Sequence, residues 1–286
     1  MEPNAFPLFV AVSVTATAVL VVGLVILAIR AAANRAAARD AAIDRPQEKA
    51  WSAAIGRWLF AAVAVWVGSA LFVTSGVWTP PSLAIPVYIL GLAGAGFLLL
   101  TRTTAGRKVL DELPQSWLIG AQVYRVVGGV FLIAASYAAV PTYFAIPAGW
   151  GDLFVGAGAV VIAMLFAAGA TAARPAAWAW NLTGLLDLIV AVGIGSSLLA
   201  APAAAIWGGS PFWLVRAAAG WQPFGPSIFH ISFPLALIPT LIVPLSVLLH
   251  VLSLRKLAAS GGFEEHTTDR PYEPSLRPRT PMTTTP

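Results

Sequence analysis

Cysteine is absent from the 286-residue chain, and formal charge is scarce. Without cysteine the chain can form no disulfide, no thiolate metal site and no thiol nucleophile. Charged residues make up 10% of the sequence and apolar residues 58%, whereas a soluble domain carries roughly 25% charged residues. So little polar surface cannot coat a water-soluble globule of this size, and the chain is expected to be solvated by lipid.

Histidine is also rare, and its positions exclude the common cofactor sites. His230 and His250 begin and end one apolar segment, which separates them by about 30 Å along a helix, so they cannot bind the same haem. No set of histidines and carboxylates has metal-site spacing, and the last apolar segment has no lysine for a Schiff base. We therefore expect no metal and no cofactor.

Catalytic motifs are missing as well. Ser196 and Ser197 lack the glycine-flanked setting of a hydrolase nucleophile, and no paired glutamates lie within the apolar segments. No catalytic residue is assigned, and an enzyme is not the expected class of protein.

Seven apolar segments are long enough to cross the roughly 30 Å of a bilayer core, which takes about 20 residues in a helix. The predicted fold is therefore all-α, a polytopic bundle of about seven transmembrane helices in one domain over residues 1–257. The predicted spans are 6–29, 58–78, 83–101, 117–140, 149–170, 176–200 and 231–254.

The basic residues predict the orientation of this bundle. With the N-terminus outside, fifteen Lys and Arg fall in cytoplasmic segments and Arg216 alone in the outer loops, which is a strong positive-inside bias. The net charge of +5 is thereby explained without nucleic acid, so no nucleic-acid partner is expected. The first segment has no basic residues before it and is too long for a cleavable signal peptide. We expect a multi-pass protein of the plasma (inner) membrane, with the lipid bilayer as its partner.

Three regions are expected outside the spans. The Ala/Arg-rich run 31–56 is predicted to prolong the first helix until Pro46. The outer loop 201–230 is rich in Gly, Pro and aromatic residues, and we expect it to lie in the interface or to cap the bundle. Residues 258–286 are Thr/Pro-rich and polar, which predicts a disordered cytoplasmic tail.

Two charges inside the spans are predicted to pair. Arg125 and Asp187 lie about eight and eleven residues from the cytoplasmic starts of the fourth and sixth spans, so their depths differ by only about 4–5 Å. An ionisable group in a span usually faces the bundle and finds a partner. Gln122 shares the helical stripe of Arg125, together with Gly129 and Ser136, and Thr183 lies one turn from Asp187. The four residues that form this candidate intramembrane polar site are Arg125, Asp187, Gln122 and Thr183.

A second candidate site is predicted on the outer side. Asp152 falls near the outer end of the fifth span and His230 at the start of the seventh. A contact between them could relay protons or sense pH. Each of the two candidate sites has a structural alternative, since such groups also hold helices together or bond to backbone and water.

Three stretches of the sequence, "QVYRVVGGVFL", "VPTYFAIPAGWGDLFVGAGA" and "WNLTGLLDL", resemble a pattern found in uncharacterised bacterial multi-pass membrane proteins. This resemblance implies no activity, and it directs attention only to Arg125, Asp152 and Asp187.

The leading hypothesis is a small transporter or permease-like protein with its site near Arg125 and Asp187, binding a small molecule or ion. The alternative is a non-catalytic membrane subunit or sensor whose intramembrane charges are structural.

Overall fold

All regular secondary structure in the described part of the chain is helical. A computed structural model describes residues 8–42, 47–75, 83–137, 140–196, 198–199 and 233–261. The α-helices are α1 (Leu8–Ala42), α2 (Gln47–Thr74), α3 (Ala84–Arg102), α4 (Thr104–Glu112), α5 (Gln115–Gly120), α6 (Val130–Ser136), α7 (Thr142–Ala167), α8 (Ala173–Gly195) and α9 (Val243–Gly261). A 3-10 segment (Ala121–Gly129) joins α5 to α6, and a π segment (Ile238–Ile242) precedes α9.

Seven helical stretches of the described residues are long and apolar enough to cross a bilayer, the number expected from the sequence. They are α1, α2, α3, α7 and α8, with α5 through α6 as the fourth span and the π segment with α9 as the seventh. Only α4 is short and polar. This composition fits a membrane protein.

The fifth and seventh spans begin elsewhere than predicted. Helix α7 begins at Thr142, seven residues before the predicted start, and continues through Pro147, because a membrane helix tolerates the loss of one backbone hydrogen bond. The regular part of the seventh span begins at Ile238 rather than at residue 231, and α9 continues to Gly261. The loop 201–230 and the tail beyond residue 261 lie outside the described residues.

The fourth span changes its helical form at its centre. Nine residues, Ala121–Gly129, form a 3-10 helix, although 3-10 runs longer than three or four residues are uncommon. With three residues per turn, side chains at i and i+3 stand directly above one another. Gln122, Arg125 and Gly128 therefore form one straight row, and all three are buried. The predicted stripe assumed α-helical spacing and chose Gly129 and Ser136 instead; Ser136 is exposed and bonds to its own helix.

The fourth and seventh spans form the centre of the bundle, since they are the most buried of the seven. Helix α9 packs against α3, α5 and α8, and α7 packs against the 3-10 segment and α8. The face that the 3-10 segment turns toward α7, α8 and α9 carries the polar residues described below.

Helix α4 is fixed at one end of the bundle by charged side chains. Lys256 of α9 donates to the carbonyl oxygens of Leu110 (3.2 Å) and Leu113 at the C-terminal end of α4. Arg39 of α1 pairs with Glu112 at 2.9 Å. These contacts tie the first and seventh spans to the short helix between the third and fourth.

Candidate functional site

Arg125 lies at the centre of a charged cluster formed by three spans. Its side chain is 1% exposed, and it sits on the 3-10 segment of the fourth span. Its Nε donates to Oδ1 of Asp152 on α7 at 2.8 Å, and its Nη2 lies 2.7 Å from the same oxygen. Nη2 also pairs with Oδ2 of Asp187 on α8. The ion pair predicted between Arg125 and Asp187 is therefore present.

The remaining donors of Arg125 are also used. Nη1 lies 3.4 Å from the carbonyl oxygen of Gly184 and 3.1 Å from Nε2 of His250. A guanidinium has five N–H donors; four of them form hydrogen bonds in this arrangement, and Nη2 also lies within ion-pair distance of Asp152. An anion at Arg125 would compete with these partners.

Asp152 also belongs to this cluster. The sequence placed it near the end of its span, but α7 begins at Thr142, which puts Asp152 about 15 Å along the helix. At that depth it meets Arg125. His230, its predicted partner, lies outside the described residues. The structure thus joins residues of the two predicted sites into one.

A row of neutral polar side chains continues from Arg125 toward the start of the fourth span. His250 Nδ1 lies 2.9 Å from Oδ1 of Asn181, and Asn181 Nδ2 donates to Ser253 Oγ at 2.9 Å. Gln115 Nε2 donates to the same hydroxyl at 2.6 Å. This row links α8 and α9 to the first residue of α5.

Three glycines make room for the side chains of the cluster. A methyl group at Gly128 would overlap the carboxylate of Asp152, and one at Gly151 would overlap that of Asp187. Gly184 likewise leaves space for the ring of His250. The absence of a side chain at these positions lets the helices approach closely enough for the charges to meet.

The two other predicted site residues have different positions. Gln122 is fully buried one 3-10 turn from Arg125, and within the described part of the chain neither amide atom has a hydrogen-bond partner. Thr183 is exposed, and its hydroxyl donates to the carbonyl oxygen of Ala179 at 2.9 Å. Thr183 therefore does not join the cluster, because it lies on the outward face of α8.

The carboxylates are the accessible part of the cluster. The side chains of Asp152 and Asp187 are 15% and 11% exposed, against 1% for Arg125. With both carboxylates ionised, the three charges sum to −1. The cluster thus combines a dry cation with two aspartates whose side chains are partly exposed.

His250, Asn181 and Ser253 were not predicted, although the sequence carries a signal for them. Ser246, His250 and Ser253 are spaced i, i+4 and i+7 in an otherwise apolar helix, which places them on one face. That face meets Asn181, six residues before Asp187, on α8.

Together these features describe a helical protein with seven helical stretches long and apolar enough to cross a membrane and a buried charged cluster in its core. The chain belongs to the family defined by the domain of unknown function DUF8737, whose model matches residues 82–258. The match includes every residue of the cluster and leaves out α1 and α2. Comparison with curated proteins gave no match, and comparison with solved structures gave none either.

Proposed function

We propose that this protein is a small membrane permease in which the cluster of Asp152, Arg125 and Asp187 binds and releases a proton during transport. The observation that carries the proposal is the excess of one carboxylate over the single guanidinium, at a place where both carboxylates are partly exposed.

The excess charge favours a site that takes up a cation. A single charge at the centre of a membrane helix costs roughly 2.5–3.5 kcal/mol on insertion scales. Arg125 offsets one carboxylate, so the second is neutral only when a proton or another cation is bound. A site of this kind changes its charge whenever it is loaded and unloaded.

A proton fits these surroundings better than a metal ion. Hard cations need about six oxygen ligands in a cage, whereas the oxygens of Asp152 and Asp187 that do not face Arg125 pack against Gly128 and Gly151. Among the described residues no group of three or more His, Cys, Asp or Glu could hold a metal ion.

The same geometry limits the class of solute. Because Arg125 already bonds to both carboxylates, to Gly184 and to His250, an anionic solute would compete with these partners for the guanidinium. The solutes to test are therefore neutral or cationic, and they would compete with the proton for Asp152 and Asp187.

Departures from α-helical geometry lie in both central spans, which supports a site that changes shape. Arg125 lies on the 3-10 segment, and a π segment containing Pro239 precedes α9. Such segments often occur at functional hinges. A permease needs two arrangements of its central helices, and these segments are where backbone hydrogen bonds can exchange.

We further propose that the N-terminus faces outward and that α4 lies at the cytoplasmic surface of the plasma membrane. Arg102 and Arg107 flank the turn between α3 and α4, and Arg174 lies at the start of α8. These positions support the positive-inside orientation.

The second candidate is a non-catalytic membrane subunit or sensor in which the cluster only holds the spans together. Arg125 is dry and bonded to both carboxylates, and the glycine contacts at Gly128 and Gly151 are close, as a structural ion pair requires.

Cysteine accessibility distinguishes the permease from the structural subunit or sensor. The chain has no native cysteine, so an introduced cysteine is the only thiol that can react. Asp152→Cys would be treated in vesicles with a membrane-impermeant thiol reagent applied to either face. Thr142→Cys and Thr171→Cys, at exposed positions at or just beyond the two ends of α7, control for labelling from each face. A permease predicts that Asp152→Cys reacts from both faces. Reaction from one face alone supports a sensor, and no reaction while both controls react supports a packed scaffold.

A further inference from the structure

A cleft lies between parts of α2 and α3. Helix α2 packs against α1, and α3 packs against α9 and α4. The two helices meet near the end of α2, where Ser69 Oγ and Tyr88 OH lie 2.9 Å apart. Toward the start of α2 they part and enclose a cavity of about 340 Å³. Helix α4, through Val109, closes the cavity at that end.

The wall of this cavity is almost entirely hydrocarbon. Among the described residues that form it, the indole N–H groups of Trp66 and Trp117 are the only polar side-chain atoms. The rest are Val, Leu, Ile, Ala, Gly and Pro residues from α1, α2, α3, α4, α5 and α9, with Leu113 between α4 and α5. A polar solute would find almost no hydrogen-bond partners here, whereas a hydrocarbon chain would restore the close packing that protein interiors have elsewhere.

The cavity opens sideways rather than toward the charged cluster. Val65 lines it and is 70% exposed on the outer surface of α2. In a bilayer that surface faces lipid, so an acyl chain can enter from the side between α2 and α3. The cluster lies beyond the opposite wall, where Leu249 lines the cavity and precedes His250.

Two basic residues lie at the level of the α4 end of the cleft. Arg102 is three residues after Leu99, which lines the cavity from the same side of α3, and Arg57 is within one turn of Leu59, which lines it from α2. Both arginine side chains are exposed. They lie at the level where lipid headgroups begin, and basic residues at that level attract anionic headgroups.

We propose that the cleft binds one acyl chain of an anionic phospholipid from the leaflet at the α4 end, with its headgroup beside Arg57 and Arg102. The chain fills the cavity between α2 and α3, and the lipid becomes a fixed part of the bundle. Its contacts with Leu118 and Leu249 reach the two central spans, so the bound lipid also supports the helices that carry Arg125 and His250.

The test is native mass spectrometry of the full chain, purified in mild detergent and supplied with phosphatidylglycerol or phosphatidylcholine in equal amounts. Ala62→Phe places a ring in the cavity, whereas Ala64→Phe places the same ring on the exposed face of the same helix. Wild type and Ala64→Phe are expected to retain one phosphatidylglycerol, and Ala62→Phe to lose it. The double variant Arg57→Gln/Arg102→Gln changes only exposed groups, and its preference for phosphatidylglycerol should fall about tenfold.

Several results would overturn the proposal. They are equal retention by Ala62→Phe and Ala64→Phe, retention of phosphatidylcholine or free fatty acid in place of phosphatidylglycerol, and the absence of retained lipid from wild type. Should Ala62→Phe not fold, the arginine double variant decides, because an unchanged preference for phosphatidylglycerol would contradict the proposed headgroup site.

Discussion

Nε2 of His250 lies 3.1 Å from Nη1 of Arg125 and accepts a hydrogen bond from it. A guanidinium only donates, so the acceptor must be the lone pair of a neutral imidazole whose proton is on Nδ1. That proton points to Oδ1 of Asn181 at 2.9 Å. The hydrogen bonds therefore run in one direction, from Arg125 to His250 and from His250 to Asn181. Neither an arginine nor an amide side chain relays protons readily. In the proposed permease, the groups that exchange protons are therefore the carboxylates on the other side of Arg125.

Removing the charges of the cluster one at a time should have unequal effects on stability. Arg125→Gln leaves two carboxylates together without a cation, and the free energy of unfolding should fall by about 3–5 kcal/mol. Asp187→Asn leaves Arg125 balanced by Asp152, so its cost should stay near 1 kcal/mol. Thermal melting of the purified variants in detergent shows which of the two is less stable.

The triple variant Arg125→Gln/Asp152→Asn/Asp187→Asn has no charge in the cluster and should melt above Arg125→Gln alone. Arg30→Gln, at an exposed position of α1, controls for the loss of an arginine as such. Equal destabilisation by Arg125→Gln and Asp187→Asn would contradict a cluster in which two ionised carboxylates outnumber one guanidinium.

Adding a methyl group beside a carboxylate should disturb the cluster without changing any charge. Gly151→Ala would overlap the carboxylate of Asp187, and overpacking of this kind costs about 1–3 kcal/mol. Gly68→Ala is the matched control, since a methyl group there meets no atom within 4 Å. Melting temperatures should fall for Gly151→Ala and hold for Gly68→Ala; a similar response of the two glycines would argue against close packing at Asp187.

The tautomer of His250 can be observed directly. Nitrogen NMR of the histidine-labelled protein should show one neutral ring protonated on Nδ1, and His250→Gln should remove that signal. In Asn181→Ala the ring loses the acceptor for its Nδ1 proton, and the signal should broaden or shift. A ring protonated on Nε2 would contradict the hydrogen bond from Arg125.

The proposed orientation can be tested with the two cysteine controls alone. Thr171→Cys lies in the turn before α8, on the same side as Arg174, and should react only from the cytoplasmic face. Thr142→Cys begins α7 and should react only from the outer face. Reversed labelling would place the N-terminus inside and exclude the positive-inside assignment.

The number of spans and one ion pair were predictable because they depend on length and depth alone. Apolar runs of about 20 residues mark the spans, and Arg125 and Asp187 lie at similar depths in neighbouring helices. Neither argument requires knowledge of how each helix is rotated about its axis.

The remaining features depend on rotation and helix form, which the sequence signals only weakly. The 3-10 segment moves Gly128 rather than Gly129 into line with Arg125, and an α-helical pattern cannot anticipate that change. Asp152 was expected near the end of its span because Pro147 and its neighbouring glycines favour a loop in water, yet α7 contains them and begins at Thr142. A lone histidine such as His250 gives no indication of its partner until α8 and α9 are packed together.

Infrared difference spectroscopy of the reconstituted protein tests the central claim, that the two carboxylates share an exchangeable proton. Between mildly alkaline and mildly acidic buffer, wild type should gain the carbonyl band of a protonated carboxyl. This band should shift in deuterated water and be lost in Asp152→Asn/Asp187→Asn. No such band in wild type, or an unchanged band in the double variant, would contradict the account and leave the cluster a purely structural one.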